Sequence, residues 1–282
     1  MQEAEFLFHD GKFSKTGKPL ISPDNRSFRY GDGFFETMKM ANGKIILEDH
    51  HFERLFTSLE LLKFQKPVSF TPDYVREQVT ELAKKNGHQK LARIRLTVFR
   101  GEGGLYDVTD HFPHHIIQTW ELNPAINTLN ENGLILGIFK EARKVCDHFS
   151  HIKNNNYLAY TMAALWAKEQ KLNDALLLNP YDRVSDATIA NIFIVKDGMI
   201  KTPAISEGCV SGVMRRHLLQ SLRKENMPVE ETQLEMEDVL QASEIFLTNA
   251  IYGIKWVKQL GDNGYTNQLS SLLHKKIILS LF

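Results

Sequence analysis

Two turn signals near the start of the chain constrain its fold more than any other feature. An Asp-Gly pair lies between apolar residues in EFLFHDGKF, and an Asn-Gly pair lies between two strand-like runs in GFFETMKMANGKIILEDH. Both dipeptides tolerate the positive φ angles that two-residue hairpin turns require. The sequence therefore predicts two antiparallel hairpins in its N-terminal part.

Helical and strand patterns alternate in the rest of the first 124 residues. The run DHHFERLFTSLELLKF carries apolar residues at helical spacing, with Asp49 as the predicted N-cap. A second helix, PDYVREQVTELAKKNG, is predicted to end at Gly87. The runs LARIRLTVFRG and HHIIQTWEL predict neighbouring strands. Together these patterns predict a small α+β domain over residues 1–124.

A larger second domain is predicted over residues 125–282, and it begins within the linker-like segment NPAINTLNENG. The runs ALLLN, ANIFIV and MIKTP predict strands, with a hairpin turn at KDG. The segment SGVMRRHLLQSLRKENMP predicts a helix with Ser211 as its N-cap, and EIFLTNA predicts a buried strand that runs into a loop. The predicted fold class is α+β in two lobes.

Composition excludes several classes of function. Lys+Arg and Asp+Glu are both 34, so no net charge attracts the chain to nucleic acid or to an anionic membrane. The two cysteines have no CxxC spacing and the histidines no HExxH spacing, so we expect no metal site. We also expect neither a signal peptide nor a membrane span, and therefore a cytoplasmic location.

Lys153 is the first candidate for chemistry. It precedes three asparagines and an alanine-rich helical pattern in KNNNYLAYTMAALWA. A partly desolvated lysine attacks carbonyl groups and can form a Schiff base with pyridoxal 5'-phosphate. A solvated lysine at the start of a helix is the alternative, so the rest of a cofactor site has to be found.

Donors for a phosphate group occur in two other segments. In SEGCVSGVMRR, Gly212 lets the backbone approach closely just before a helix N-terminus, where free N–H groups bind anions. Thr248 and Asn249 follow a buried strand, and Arg54 lies beside the apolar stripe of its helix. Asp186 is placed at the entry to a strand pair and is the candidate acid for the pyridine nitrogen. Ordinary turns and a surface arginine are the alternatives.

Six motifs, in this order, resemble the class IV aminotransferases, the fold-type IV pyridoxal-phosphate enzymes. They are YGDGFFET, HHFERLFTSL, HIKNNNYLAYTMA, VSDATIANIFIVKDGMIKTP, GCVSGVMRR and EIFLTNAIYGI. The resemblance spans most of the chain. It implies a two-lobed fold, with a small N-terminal α/β lobe and a larger C-terminal lobe around a β-barrel-like core.

The resemblance also implies roles for single residues. Lys153 matches the Schiff-base lysine that also shuttles the proton, and Arg54 matches the arginine that binds the phosphate. Asp186 stands where the family has a glutamate facing the pyridine nitrogen. The other implied cofactor-binding residues are Asn191, Val213 and Met214, whose last two backbone amides cap the phosphate, with Thr248 as a hydroxyl donor. Met214 replaces a threonine that is common in the aminotransferases.

Three subfamilies compete within this resemblance. Branched-chain aminotransferases place a tyrosine five positions after the lysine, whereas Tyr157 is four positions after Lys153; its contact with the phenolic oxygen of the cofactor is left open. D-amino-acid aminotransferases carry a tyrosine where this chain has Phe35. The motifs GVMR, TNA and FRGEGGLY resemble 4-amino-4-deoxychorismate lyases, and Arg100 and Tyr106 in the last of them are candidates for the substrate carboxylate.

The resemblance therefore favours a lyase that releases pyruvate and forms 4-aminobenzoate, a folate precursor. An amino-acid aminotransferase of the D-amino-acid or branched-chain type remains the alternative, and a domain that binds without turnover is a third. The family also implies a homodimer, in which Phe35 or Arg100 of one copy reaches the site of the other. The resemblance implies a small amino compound as the substrate.

Overall fold

The computed structural model describes residues 4–282 and divides into two compact units. The first unit runs to Pro124 and also contains Lys153–Asn156, and the second contains Ala125–Ile152 and Tyr157–Phe282. The sequence prediction assigned residues 153–156 to the second domain. The structure assigns them to the first, because the Phe35 amide donates a hydrogen bond to the Lys153 carbonyl at 2.9 Å.

Among residues 4–282, no helix is both long enough and apolar enough to cross a membrane. The longest helices of the first unit, described next, are instead amphipathic, and each buries one apolar face.

The first unit is one antiparallel sheet with three helices. Its strands are β1 (Phe6–His9), β2 (Lys12–Lys15), β3 (Gly33–Ala41), β4 (Lys44–Ile45), β5 (Leu91–Phe99) and β6 (His114–Glu121), and its helices are α1 (Arg26–Tyr30), α2 (Glu48–Leu61) and α3 (Pro72–Lys85). The strand order is β2-β1-β6-β5-β3-β4. Both predicted hairpins are confirmed, since β1 pairs with β2 and β3 with β4. Their turn residues Asp10, Gly11, Asn42 and Gly43 all have positive φ.

Two predicted helix caps are wrong. Leu47, with φ 54°, precedes α2 without a side-chain cap, and Asp49 lies inside the first turn. There its carboxylate still faces the positive end of the helix dipole. The helix after SG begins at Val213 with Gly212 at the N-cap position, so Ser211 lies one residue outside it.

The second unit is built on one mixed sheet. Its strands are β7 (Leu134–Arg143), β8 (Asp174–Leu178), β9 (Val184–Ala187), β10 (Asn191–Lys196), β11 (Met199–Pro203), β12 (Val229–Thr232), β13 (Glu244–Asn249), β14 (Gly253–Leu260) and β15 (Asn263–Gly264). Its helices are α4 (Leu158–Glu169), α5 (Val213–Lys224), α6 (Met236–Leu240) and α7 (Gln268–Leu273). The strand order is β12-β11-β10-β13-β14-β7-β8-β9, with β15 on β14.

This sheet curls into a half barrel, as the barrel-like prediction expected. β9 and β10 follow each other through a short turn at residues 188–190, where the Ala187 amide donates to the Ala190 carbonyl at 2.8 Å. Side chains on alternate positions of a strand point to opposite faces. Thus Leu176 of β8 packs in the inner core, while Leu177 packs outward against α4. This outer face carries the polar residues described next.

Candidate functional site

Lys153 lies in a loop that pairs with the beginning of β3. Besides the bond from Phe35 to its carbonyl, the Asn155 amide donates to the Gly33 carbonyl at 3.0 Å. The Lys153 Nζ lies 4.7 Å from the centroid of the Phe35 ring. An ammonium group over an aromatic face is a favourable contact. Phe35, a predicted substrate residue, therefore helps to orient the lysine.

The three asparagines after Lys153 fasten this loop. Asn154 Oδ1 accepts a hydrogen bond from the Asn156 amide at 3.0 Å, which closes a tight turn. Asn155 Nδ2 donates to Ser27 Oγ at 3.1 Å and so ties the loop to α1. The amides thus hold the backbone on which Lys153 stands.

Arg54 of α2 is held by Glu36 of β3. Its Nε and Nη2 donate to the two carboxylate oxygens at 2.7 and 2.6 Å, and His51 Nδ1 lies 2.7 Å from Glu36 Oε2. Burial raises the pKa of Glu36, but Arg54 and His51 outweigh burial and lower that pKa to about 2. Glu36 is therefore ionised and orients the guanidinium of Arg54.

Phe35 and Glu36 are neighbours on β3 and point to opposite faces of the sheet. Lys153 and Arg54 consequently approach β3 from opposite faces, and binding of a phosphate by Arg54 stays a prediction. Sequence reasoning missed Glu36. Glu36 alternates along β3 with Phe34 and the two buried methionines, so the sequence places its carboxylate on an apolar face. A carboxylate on such a face needs a cationic partner, and this alternation could have indicated one.

In the second unit, the backbone of Val210 connects two predicted residues. Its N–H donates to Asp186 Oδ2 at 3.1 Å, and its carbonyl accepts from Asn191 Nδ2 at 2.8 Å. Asn191 lies directly opposite Thr248 in the β10–β13 pair. Asp186, Asn191 and the segment that leads into α5 are therefore fixed to one another.

The N-terminus of α5 and the Thr248 hydroxyl form a set of donors. α5 begins at Val213, and its first N–H groups have no partner within the helix. A Cβ at Gly212 would collide with Asn191 Oδ1, so a side chain there would force Asn191 to move. Thr248 is completely buried, and its Oγ1 has no hydrogen-bond partner among residues 4–282. A buried hydroxyl left in this state is costly unless a ligand oxygen binds it.

Asp186 lies within β9, opposite Leu177, rather than at the entry to a strand pair as predicted. It is 2% exposed, and the Tyr160 hydroxyl donates to its Oδ2 at 2.8 Å. Burial and the nearby carboxylate raise the pKa of Tyr160 well above its usual value, so the phenol keeps its proton. Sequence reasoning missed Tyr160, although a buried tyrosine generally needs a partner for its hydroxyl.

Tyr157 and Asn249 make local contacts. The Tyr157 ring stacks on Tyr160, with centroids 4.5 Å apart. Asn249 Oδ1 accepts from the amides of Ile251 and Tyr252 at 2.9 and 3.0 Å, which shapes the turn between β13 and β14. Cofactor binding by these two side chains stays a prediction.

The two predicted residues of the FRGEGGLY loop differ in their surroundings. Arg100 is buried, its Nη1 is 2.5 Å from Asp32 Oδ1, and its Nη2 donates to the Leu62 carbonyl. Tyr106 is 91% exposed. Arg100 is thus engaged inside the first unit, and binding of a substrate carboxylate by either residue stays a prediction.

The polar groups of the second unit fit the cofactor predicted from the sequence. A buried carboxylate, that of Asp186, suits a protonated ring nitrogen. The N-terminus of α5 and the Thr248 hydroxyl suit a phosphate dianion. Met214, at the second position of α5, is buried and offers its backbone amide only.

Comparison with known proteins identifies the family. The family model described as Amino-transferase class IV matches residues 33–260. The chain is 26% identical to the aminodeoxychorismate lyase of Bacillus subtilis over 98% of this chain and 95% of that protein. It is 23% identical to a D-alanine aminotransferase of Listeria monocytogenes over 92% of this chain and 90% of that protein.

Among solved structures, a branched-chain aminotransferase from Thermoproteus uzoniensis is similar, with a TM-score of 0.86. The identity is 22%, and the match covers 99% of this chain and 96% of that one. At this identity the likeness concerns the fold. It confirms the predicted fold class, including the curled sheet of the second unit.

Proposed function

Because this chain belongs to the class IV aminotransferase family, we propose that it is a pyridoxal-phosphate-dependent lyase that forms pyruvate and 4-aminobenzoate from 4-amino-4-deoxychorismate. The main support for a cofactor site is the pair of hydrogen bonds by which the Val210 backbone joins Asp186 and Asn191. The product is a folate precursor. We place its formation in the cytoplasm, where free cysteines such as those of this chain persist.

Bound pyridoxal phosphate supplies an electron sink for the charge that a departing proton leaves on the substrate. Lys153 Nζ would hold the cofactor aldehyde and, once the substrate amine has displaced it, would move the proton of the substrate carbon. The Asp186 carboxylate would keep the ring nitrogen protonated. Thr248 Oγ1 and the first amides of α5 would bind the phosphate, and a contribution of Arg54 to that binding stays a prediction. Formation of an aromatic product drives the elimination.

Two features support the lyase over the aminotransferases. Tyr157 follows Lys153 by four positions rather than five, and Phe35 replaces a tyrosine of the D-amino-acid enzymes. The aminodeoxychorismate lyase of Bacillus subtilis also matches this chain over nearly its whole length. A class IV amino-acid aminotransferase is the second candidate, because the Listeria D-alanine aminotransferase matches at similar identity.

We expect purified protein loaded with cofactor to release pyruvate from 4-amino-4-deoxychorismate with no keto acid present. Lactate dehydrogenase and NADH report the pyruvate, and chromatography reports equimolar 4-aminobenzoate. Parallel reactions offer 2-oxoglutarate with D-alanine or with a branched-chain amino acid. Amino-group transfer in these reactions without lyase turnover would replace the lyase by an aminotransferase.

We also propose that the protein is a homodimer in which α4 contributes to the interface. Leu158, Met162 and Leu165 lie along one side of this helix and are 74, 44 and 50% exposed. Apolar side chains clustered on a surface mark interaction sites. Phe35 and Arg100 are buried in a single chain. Contribution of either residue to the site of a second copy stays a prediction.

The double variant Met162→Glu/Leu165→Glu is expected to be monomeric at micromolar concentration. Two carboxylates without cationic partners are costly to bury in an apolar interface. Sedimentation velocity gives the mass. Lys168→Glu/Glu169→Lys, on the same helix, is the matched control and should leave the dimer intact. A dimer that persists in the first variant would exclude α4 from the interface.

A further inference from the structure

We propose that Tyr160 is a positioning residue: its hydroxyl holds the Asp186 carboxylate in the orientation that serves the cofactor's ring nitrogen. This inference rests on the proposed function. It concerns a residue to which the family resemblance gives no role. It also explains how an aspartate can serve at a position where the family has a longer glutamate.

Tyr160 is itself rigidly held. It lies on the buried side of α4 with Ala163 and Ala167, and it is 5% exposed. Tyr157 stacks on one part of its ring. Lys144 Nζ lies 5.4 Å from the ring centroid and donates to the Ser150 carbonyl at 3.0 Å. The hydroxyl therefore has little freedom to leave the carboxylate.

Asp186 receives two donors on one oxygen. Tyr160 Oη lies 2.8 Å and the Val210 nitrogen 3.1 Å from Oδ2. Two bonds from different elements, α4 and the segment before α5, restrict rotation of the carboxylate about χ2. A buried aspartate held by only one donor could turn about that bond. The phenol stays protonated across the working pH range, because burial and Asp186 raise its pKa.

The arrangement also explains the short side chain. Glutamate carries one methylene more than aspartate, which moves its carboxylate further by about 1.5 Å, roughly one C–C bond. The Tyr160 hydroxyl is only 2.8 Å from Asp186 Oδ2, so it stands where a longer acid would extend. Tyrosine and aspartate thus act together as one unit, and neither should be replaceable alone.

The test uses Tyr160→Phe in the cofactor-loaded enzyme, with Tyr265→Phe as the matched control. Tyr265 is also a buried tyrosine of the second unit, and its hydroxyl donates to the Val239 carbonyl at 3.2 Å, away from Asp186. The visible absorbance of the bound cofactor is recorded against pH to follow loss of the proton from its ring nitrogen. Because a poorly oriented Asp186 carboxylate stabilises that protonated nitrogen less, we expect this transition to move to lower pH by about one unit in Tyr160→Phe. We expect no such shift in the Tyr265→Phe control.

Kinetics give a second readout. Tyr160→Phe should lower kcat of the lyase reaction about tenfold while KM changes less than about twofold, because the lost contact orients a catalytic group and not the substrate. The double variant Tyr160→Phe/Asp186→Glu should return the absorbance transition toward the wild-type pH, since the missing hydroxyl makes room for the longer acid. This variant also provides a test if Tyr160→Phe alone is unstable.

The outcomes separate this inference from the proposed function. A Tyr160→Phe enzyme that binds cofactor and titrates like the wild type overturns the positioning role and leaves the function untouched. Equal shifts in Tyr160→Phe and Tyr265→Phe also overturn it, because they would reflect general loosening of the unit. Absence of any cofactor band from the wild-type protein would instead defeat the proposed function.

Discussion

Lys153→Ala is expected to abolish covalent attachment of pyridoxal phosphate. It should also lower turnover by about 10²–10⁴-fold, the range typical for loss of a positioned proton-transfer group. Alanine has no amine to bind the cofactor aldehyde and none to move the substrate proton. The measurement is borohydride reduction followed by peptide mass spectrometry. Wild type should carry a pyridoxyl group on the peptide that contains Lys153, and the variant should carry none.

Two controls make this result specific. Lys171→Ala changes an exposed lysine of the second unit and should leave both labelling and turnover intact. Phe35→Leu removes the ring under the Lys153 ammonium while keeping the strand pairing. It should retain the adduct but alter its rate of formation. A wild-type adduct on any other lysine would refute the assignment of Lys153.

The local parts of the fold were predictable from the sequence because local forces determine them. The positive-φ turns at Asp10–Gly11 and Asn42–Gly43 follow from the dipeptides alone. Helix caps were less predictable. Asp49 and Ser211 have the side chains that favour N-caps, but the α2 and α5 starts are set by tertiary contacts. At Gly212 that contact is the close approach of Asn191.

The candidate site was predictable only in part. Motif order made Lys153, Asp186 and Thr248 candidates, because each stands in a recognisable segment. It did not identify Glu36 or Tyr160. Their partners lie 18 and 26 residues away in sequence, and no local pattern specifies such pairs. The hydrogen bonds of buried polar groups depend on how the elements pack.

The second large effect is expected from Glu36→Ala. Glu36 is buried and accepts from both Arg54 and His51. Its removal leaves a guanidinium that is only 13% exposed without its carboxylate, which costs about 3–5 kcal/mol of unfolding free energy. For a chain of this size the melting temperature should fall by roughly 10 °C. Thermal unfolding followed by circular dichroism measures this change.

Glu60→Ala is the matched control, since it removes an exposed glutamate of α2 and should change the melting temperature little. The double variant Glu36→Leu/Arg54→Met should be more stable than Glu36→Ala, because it removes both charges together. If Glu36→Ala were as stable as the control, the ion pair of Glu36 with Arg54 would contribute nothing to the free energy of unfolding.

The same pair predicts a dependence of stability on pH. The folded pKa of Glu36, about 2, lies below the ordinary value of 4.5, so the unfolded state binds a proton first as pH falls. The stability that Glu36 contributes is complete above pH 4.5 and is lost as pH falls through 2. Burial also lowers the pKa of His51 from its ordinary value of 6.5. The unfolded state therefore binds this proton first, and the protein loses further stability as pH falls below 6.5. Wild type should therefore lose more unfolding free energy between pH 6 and pH 3 than Glu36→Leu/Arg54→Met does, and equal slopes would show that another group governs acid unfolding.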